Sequence, residues 1–282
     1  MELLFEKLES CPVCDSTDID LSFEKYDRYA DHKFGIFKCN YCTLLFVNPR
    51  VDRNLLPILY DEPYYKGETW DIATDYHSTY SDPDKMERIN RIYTHHLCEI
   101  RKFIPKKGIE ILDFGCGLGG FSILASQCQM DYKITAIDIS PHAIEYVKNH
   151  GINGIVGDFS YDFKGKHFHV IYMREVFEHL YDPVDSLTKC KDLLYPGGLL
   201  YFTTGNTLLA DDLPNWHYIR PVGHLNYFNP KSIKILFDRC GLNSYPREAL
   251  KTSPKKLLLP ILLKIGFKKE LLPVGYKKDS SL

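Results

Sequence analysis

The chain has 282 residues, a formal net charge of −2, 44% hydrophobic residues and 13% aromatic residues. These are values of a globular protein, and the length suits one catalytic domain of about 150–200 residues plus a smaller module. The near-neutral charge argues against strong binding to a nucleic acid backbone, so no nucleic acid partner is expected.

No segment of the sequence resembles a membrane anchor. The first residues, MELLFEKLES, carry acids where a signal peptide carries bases, and the later apolar run LLLPILLKIGF contains a Pro and a Lys. A membrane-spanning helix needs about 20 apolar residues. We therefore expect a soluble, cytoplasmic protein without a transmembrane segment.

Two cysteine pairs stand close to the N-terminus, Cys11-x-x-Cys14 and Cys39-x-x-Cys42. Two such pairs on tight turns complete a closed tetrahedral zinc site, which has no open position for water and is structural. About 40 residues are too few to fold on an apolar core alone, so metal binding would stabilise the fold. The pattern predicts a small zinc-ribbon-like domain over residues 1–50, whereas a redox role is disfavoured because neither pair follows a strand of a βαβ unit.

A tyrosine-rich connector, residues 51–84, follows this module. Tyrosine suits the wall of a binding cleft, but the same composition is typical of interdomain packing, so the connector is an acceptor-side wall or a packing segment. Residues 85–103 then repeat apolar side chains at helical spacing and lead into a third region, residues 85–282.

Short apolar runs alternate with helical patterns from residue 109 onward, which predicts an α/β, doubly wound, mostly parallel sheet. The expected strands are residues 109–114, 133–138, 153–156, 168–173 and 199–204, and the expected helices are 119–129, 141–150, 175–180 and 184–194.

The last region is strongly basic. Residues 251–279 contain eight Lys against Glu270 and Asp279, which leaves the rest of the chain acidic. We expect a final helix with a solvated Lys face, the alternative being a cationic helix that contacts a membrane surface or a partner.

A glycine loop, Gly115-x-Gly117-x-x-Gly120, follows the first strand of the sheet. Asp138 ends the next strand and is placed to hold ribose hydroxyls, as in a nicotinamide dinucleotide site. Asp113, two residues before the first glycine, would repel a pyrophosphate and attract a cationic ligand. An amino acid sulfonium therefore fits this loop better than NAD does.

The motifs LDFGCGLGGF, AIDIS, GDF, FHVIYMREVFEHLYDP and LYPGGLLYFTT resemble, in order and spacing, those of class I S-adenosylmethionine-dependent methyltransferases. The two cysteine pairs, FVNPR, LYDEPYY and GHLNYF resemble the subgroup in which a zinc domain precedes the methyltransferase. Enzymes of that subgroup often act on sugars, nucleotide-linked sugars or other surface-polysaccharide precursors. The resemblance implies S-adenosylmethionine as cofactor, a structural zinc and a small carbohydrate-like or phosphorylated acceptor.

The same resemblance assigns cofactor roles to individual residues. The methionine and ribose portions would lie beside Gly115, Gly117 and Gly119, the amino acid moiety beside Asp113, and the ribose hydroxyls on Asp138. The adenine would contact Ile139, Asp158 and Phe159, and the sulfonium would be bordered by Met173 and Arg174.

Four residues are candidates for removing the acceptor proton. His224 is preferred because it lies in a loop after the fifth strand, His179 is the competitor that could instead orient the site or pack, and Tyr80, with Tyr76, is a weaker candidate. Sugar C-methyltransferases of the subgroup have Glu-His where this chain has Gly223-His224, and they add a C-terminal domain. These departures favour O-methylation over C-methylation, and a noncatalytic cofactor-binding module is a further alternative.

Overall fold

The computed structural model describes residues 4–71 and 75–245 and a strand at 258–264. The strands are β1 Phe5–Glu6, β2 Ile19–Asp27, β3 His32–Cys39, β4 Leu45–Val47, β5 Arg50–Val51, β6 Glu110–Phe114, β7 Lys133–Asp138, β8 Asn153–Val156, β9 Phe168–Arg174, β10 Leu194–Gly205, β11 Asn226–Tyr227, β12 Asn243–Tyr245 and β13 Leu258–Lys264. The helices are α1 Leu56–Leu59, α2 Glu62–Tyr65, α3 Tyr76–Ser81, α4 Pro83–Phe103, α5 Gly120–Ser126, α6 Pro141–Asn149, α7 Pro183–Leu193 and α8 Pro230–Cys240, with 3-10 turns at Arg53–Leu55, Phe177–His179 and Thr207–Leu209.

The central sheet has the strand order β12-β13-β10-β9-β6-β7-β8. Strands β8, β7, β6, β9 and β10 are parallel, and β13 runs antiparallel between β10 and β12. The expected doubly wound sheet is therefore confirmed, and the ends of β6, β7 and β9 lie side by side. In such a sheet these carboxyl ends form the ligand-binding edge.

Helix α4 begins where the connector ends. Asp82 caps it by accepting hydrogen bonds from the backbone N–H groups of Asp84 and Lys85, and Pro83 occupies its first turn. The helix predicted for residues 85–103 is confirmed with an earlier start.

The helix predicted for residues 175–180 is reduced to the turn Phe177–His179, because Glu175 has a φ of 54°, which a right-handed helix does not accommodate.

A second, antiparallel sheet of order β11-β4-β3-β2 is built mainly by the N-terminal residues. Its strand β11 comes from much later in the chain, where Asn226 pairs with Phe46 and Tyr227 with Leu45. The cysteine-bearing module and the loop that follows β10 therefore share one sheet.

The basic C-terminal region differs from its prediction. Residues 258–264 form strand β13, so the predicted helix is wrong for this segment, and the remaining tail residues, 251–257 and 265–282, lie outside the described residues. A short apolar run does not distinguish helix from strand, because the neighbouring strands decide the outcome. Across the part of the chain that the structure describes, no helix is both long and apolar enough to cross a membrane.

Candidate functional site

The glycine loop joins β6 to α5 and lies tightly against its neighbours. Gly115 and Gly119 have φ values of 67° and 71°, which favour glycine. A Cβ atom at Gly115 would lie 2.5 Å from Cγ2 of Val176, and one at Gly119 would lie 2.7 Å from Cγ2 of Val147. The loop thus needs glycine at both positions for its conformation and for space.

Asp113 is buried near the end of β6, directly before this loop. Its Oδ2 accepts a hydrogen bond from Ser122 Oγ at 2.6 Å. Burial is the main cause that raises the pKa of the Asp113 carboxyl to about 7. A ligand cation placed beside this carboxyl would favour its ionised form.

Arg174, at the end of β9, faces the same small cavity as Asp113. The cavity has a volume of about 40 Å³ and is lined by Tyr76, Tyr80, Tyr93, Asp113, Gly115, Cys116, Gly117, Leu118, Phe121, Tyr172 and Arg174. The Arg174 guanidinium lies 5.5 Å from the centre of the Tyr93 ring, and its Nη2 is 3.5 Å from Glu175 Oε1. Among the described residues, its Nε is buried without a hydrogen-bond partner. An acid and a base bordering one cavity match the ammonium and carboxylate of an amino acid.

Asp138, at the end of β7, fastens the glycine loop. Its Oδ2 accepts a hydrogen bond from the Gly117 N–H at 2.9 Å, and its Oδ1 accepts one from the Ser140 N–H at 3.0 Å. The Tyr65 hydroxyl lies 3.4 Å from Oδ1. A carboxylate offers about four acceptor positions, so Asp138 retains capacity for a ligand hydroxyl.

The expected adenine contacts lie further along the same edge. Asp158 follows β8, is exposed and accepts hydrogen bonds from Ser160 N at 2.7 Å and Ser160 Oγ at 2.6 Å. Phe159 stacks on Phe114 at a centroid distance of 3.9 Å, and Ile139 is half-buried after β7. The structure therefore brings these residues to the edge that holds Asp113 and Asp138.

The connector supplies tyrosines that cover the loop. Tyr80 Oη accepts a hydrogen bond from the Gly120 N–H at 3.1 Å, and burial raises the pKa of Tyr80 well above 10. Tyr80, predicted as a weaker base candidate, thus lies on the glycine loop with a protonated hydroxyl. Tyr76 lines the same cavity.

His179 and His224 form a separate buried pair. Their ring centres are 4.7 Å apart and the rings are nearly perpendicular, at 75°. His224 Nδ1 is 2.8 Å from the Tyr218 carbonyl, and His179 Nδ1 is 2.8 Å from the Gly223 carbonyl. Because a carbonyl only accepts, each Nδ1 is assigned the proton and each Nε2 is left as an acceptor. Burial lowers the pKa of His179 and lowers that of His224 well below 6.5.

Glu178, which sequence reasoning missed, lies fully buried beside this pair. It accepts hydrogen bonds from Thr204 Oγ1 at 2.9 Å and from the Tyr218 hydroxyl, and burial is the main cause that raises its pKa to about 7. One ligand atom each from Glu178, His179 and His224 lie within 4.8 Å of one another. The only indication of Glu178 in the sequence was its position next to His179, because its hydrogen-bond partners Thr204 and Tyr218 are distant in sequence.

The four N-terminal cysteines converge as their spacing predicts. Their sulfur atoms all lie within 4.8 Å of one another, with Cys11 Sγ 3.4 Å from Cys42 Sγ and Cys14 Sγ 3.5 Å from Cys39 Sγ. Four sulfurs about 2.3 Å from a zinc ion would be about 3.8 Å apart in a tetrahedron. A hydrogen bond from Cys42 is the main cause that lowers the pKa of Cys11 to about 6. The donor set therefore fits a four-thiolate metal site.

The two cysteine turns have matching backbones. The Asp15 N–H donates to the Cys11 carbonyl at 3.0 Å, and the Thr43 N–H donates to the Cys39 carbonyl at 2.9 Å. Asp15 and Thr43 both have positive φ, 59° and 63°. Each pair thus closes an equivalent tight turn, as two halves of one metal site require.

A family model described as a methyltransferase domain matches residues 87–245. The chain belongs to this methyltransferase family. The match contains the glycine loop, Asp113, Asp138 and both histidines of the buried pair.

Curated relatives of this methyltransferase are named ubiquinone biosynthesis O-methyltransferase. The one from Xylella fastidiosa is 30% identical over 155 residues, 52% of this chain and 62% of that protein. The one from Coxiella burnetii is 33% identical over 143 residues, 48% of this chain and 59% of that protein. The chain spans less than two thirds of these relatives.

The fold of the methyltransferase also resembles a solved one. Magnesium protoporphyrin IX methyltransferase from Synechocystis PCC 6803, with bound SAH, covers 76% of this chain and 99% of that chain with a TM-score of 0.58 at 14% identity. This likeness shows the class I methyltransferase fold, to which the N-terminal cysteine cluster is added.

Proposed function

We propose that the protein transfers a methyl group from S-adenosylmethionine to an oxygen of a small acceptor. The observation that carries this proposal is the glycine loop held between Asp113 and Asp138 at the ends of adjacent parallel strands. In this proposal Asp113 binds the donor ammonium, Asp138 binds the ribose hydroxyls, and Ile139, Asp158 and Phe159 border the adenine.

The methyl carbon of a sulfonium is already activated, so the protein aligns the acceptor and removes its proton. When bound, S-adenosylmethionine would supply the methyl group for the acceptor oxygen and would leave as S-adenosylhomocysteine, and Nε2 of His224 would take the acceptor proton. His224 is suited to this role because its Nδ1 is held by the Tyr218 carbonyl and its lowered pKa keeps it neutral near pH 7. His179 is the alternative base.

The surroundings of Gly223 support oxygen rather than carbon as the methylated atom. A Cβ atom at Gly223 would lie 2.2 Å from Cη2 of Trp70. The glutamate that sugar C-methyltransferases have at this position would therefore collide with the indole. Trp70 also lies beside both histidines, with ring centres 6.1 Å from His179 and 5.9 Å from His224.

We propose that the acceptor is a carbohydrate-like or phosphorylated precursor of a surface glycan such as a capsule. This proposal rests on the resemblance of the cysteine module and of GHLNYF to the sugar-modifying subgroup. A phenolic acceptor is the second candidate, because the curated relatives are named ubiquinone biosynthesis O-methyltransferases. The aromatic side chains Tyr60, Tyr64 and Trp70 beside the histidine pair would pack against either kind of ring.

The four thiolates would hold a structural zinc, since all four positions of the ion are filled by protein. We also propose that the chain divides into a cysteine module (residues 1–50), a connector (51–84) and a methyltransferase domain (85–282), and that the protein is cytoplasmic. For the basic tail, weak contact with a membrane surface is the alternative to exposure to solvent. The retained Asp113, Asp138 and His224 argue against a noncatalytic module.

A methylation screen with labelled donor tests the proposal. The panel pairs nucleotide-linked and phosphorylated sugars with catechol-type phenols, and the product is analysed for the methylated atom. We expect label on an oxygen of one class of acceptor, lost in His224→Ala and retained in His150→Ala, which replaces an exposed imidazole directly after α6. Label on carbon, or transfer that survives in both variants, would contradict the proposed chemistry.

A further inference from the structure

We propose that the cysteine-bearing turn Cys39–Cys42 positions His224. Metal bound at the four thiolates then controls the rate at which His224 removes the acceptor proton and leaves the affinity for the donor unchanged. The inference rests on the proposed function for the role of His224. It assigns the N-terminal module a place in catalysis through hydrogen bonds that hold the segment after His224, rather than through contact with the acceptor.

The first contact is the shared sheet. The Val47 N–H donates to the Leu225 carbonyl at 2.9 Å, and β11 begins at the next residue and pairs with β4. On its other side the Leu225 N–H donates to the Glu178 carbonyl at 2.8 Å. His224 is therefore followed directly by a residue clamped between the N-terminal sheet and the segment that carries His179.

The second contact is Asn229, which reaches the cysteine turn itself. Its Nδ2 donates to the Thr43 carbonyl at 2.9 Å and lies 3.1 Å from Thr43 Oγ1. Thr43 follows Cys42 directly, and its own N–H closes the turn on Cys39. Asn229 Oδ1 meanwhile caps α8 by accepting from the Lys231 and Ser232 N–H groups. One side chain thus ties the cysteine turn to residues 224–229, the segment that begins with His224 and that we call the His224 loop.

The donor site has a different support. Asp138 fastens the glycine loop through Gly117, and Tyr80 covers it at Gly120, without contacts from the cysteine turns among these bonds. A shift of β11 is therefore expected to move His224 while the donor loop stays in place. Since a misplacement of about 1 Å can cost about 100-fold in rate, a small shift is sufficient.

The other cysteine turn offers a matched control. Arg239, on α8, donates from Nη1 to the Val13 carbonyl at 2.8 Å and pairs with Asp15. This contact joins the Cys11–Cys14 turn to the methyltransferase without involving β11. Arg239→Gln removes it and leaves the His224 loop clamped.

The decisive variant is Asn229→Asp, which keeps the helix cap but loses the donor to Thr43. Thr43→Val, which removes only the hydroxyl, is the milder companion. We expect Asn229→Asp to keep its zinc and its affinity for S-adenosylhomocysteine, to lower turnover by about tenfold or more, and to shift the His224 imidazole ¹⁵N resonances. Arg239→Gln should change thermal stability but neither turnover nor those resonances.

Hydrogen exchange supplies a readout that does not need an acceptor. Removing metal from the full chain with a chelator should increase exchange in residues 224–229 and leave residues 110–120 protected. If 224–229 exchange equally with and without metal, or if Asn229→Asp leaves the His224 resonances unchanged, the coupling is overturned. If wild-type protein transfers no methyl group but these two signals respond, the proposed function fails and the coupling stands.

Discussion

Donor binding should release protons near and below pH 7, because burial raises the pKa of Asp113 and keeps part of this carboxyl protonated before the donor arrives. Burial raises the pKa of this carboxyl to about 7, and a donor ammonium beside it would favour the ionised form and return the pKa towards its ordinary value of 3.8. With a pKa of about 7, most molecules of the free protein carry this proton at pH 6 and few carry it at pH 8. The protonated fraction is the number of protons released per donor bound.

Calorimetry measures this release directly. The binding enthalpy of S-adenosylhomocysteine is recorded at each pH in phosphate and in Tris, whose ionisation enthalpies differ, and the slope gives the number of protons. Affinity should rise with pH up to about 7 and level off above it, since the ligand binds the ionised carboxyl. Asp113→Asn removes the group that titrates and should abolish the release, whereas Asp162→Ala, which alters an exposed acid, should preserve it.

Equal binding enthalpies in both buffers at pH 6 would show that no proton is released, and would contradict the proposed ionisation of Asp113 on donor binding. The same release in Asp113→Asn would assign the proton to another group, of which the buried Asp138, whose pKa is also raised by burial, is the nearest candidate.

Three further predictions follow from the site. Asp138→Ala should weaken S-adenosylhomocysteine binding by about 1–3 kcal/mol in calorimetry, because it removes ribose acceptors and the Gly117 clamp; unchanged affinity would place the ribose elsewhere. His224→Ala should lower turnover by about 10²–10⁴ with donor affinity retained, and wild-type turnover should fall only below pH 6.5, because the pKa of His224 is lowered; normal turnover in His224→Ala with none in His179→Ala would exchange their roles. Elemental analysis should find one zinc per chain and a loss in Cys39→Ser; an equal ratio in both would refute the site.

The parallel part of the sheet could be predicted from sequence because its strands are short apolar runs that alternate with helical segments. Residues 133–138 and 153–156 were predicted with the bounds that β7 and β8 have. The glycine loop was equally visible, since its φ values require glycine at fixed spacing. Each cysteine turn was visible because it closes locally, by a hydrogen bond from the residue four positions after its first cysteine. The pairing of β2 with β3 then brings the two turns together.

The remaining features depend on contacts between distant segments. Strand β11 has two residues and exists because β4 lies beside it, and β13 is a strand because β10 and β12 flank it. Glu178 is a buried acid whose hydroxyl partners come from β10 and the loop after it. No local pattern predicts such partners, so the sequence indicated the two histidines but not the buried acid beside them.

Binding of the methyl donor at the glycine loop is best tested by titrating the protein with each candidate ligand, followed by a competition between the two. The full-length protein is titrated with S-adenosylhomocysteine and, separately, with NAD, and Asp138→Ala is the control. We predict saturable binding of S-adenosylhomocysteine that weakens in Asp138→Ala and is not displaced by NAD. Saturable binding of NAD with none of S-adenosylhomocysteine would contradict the assignment.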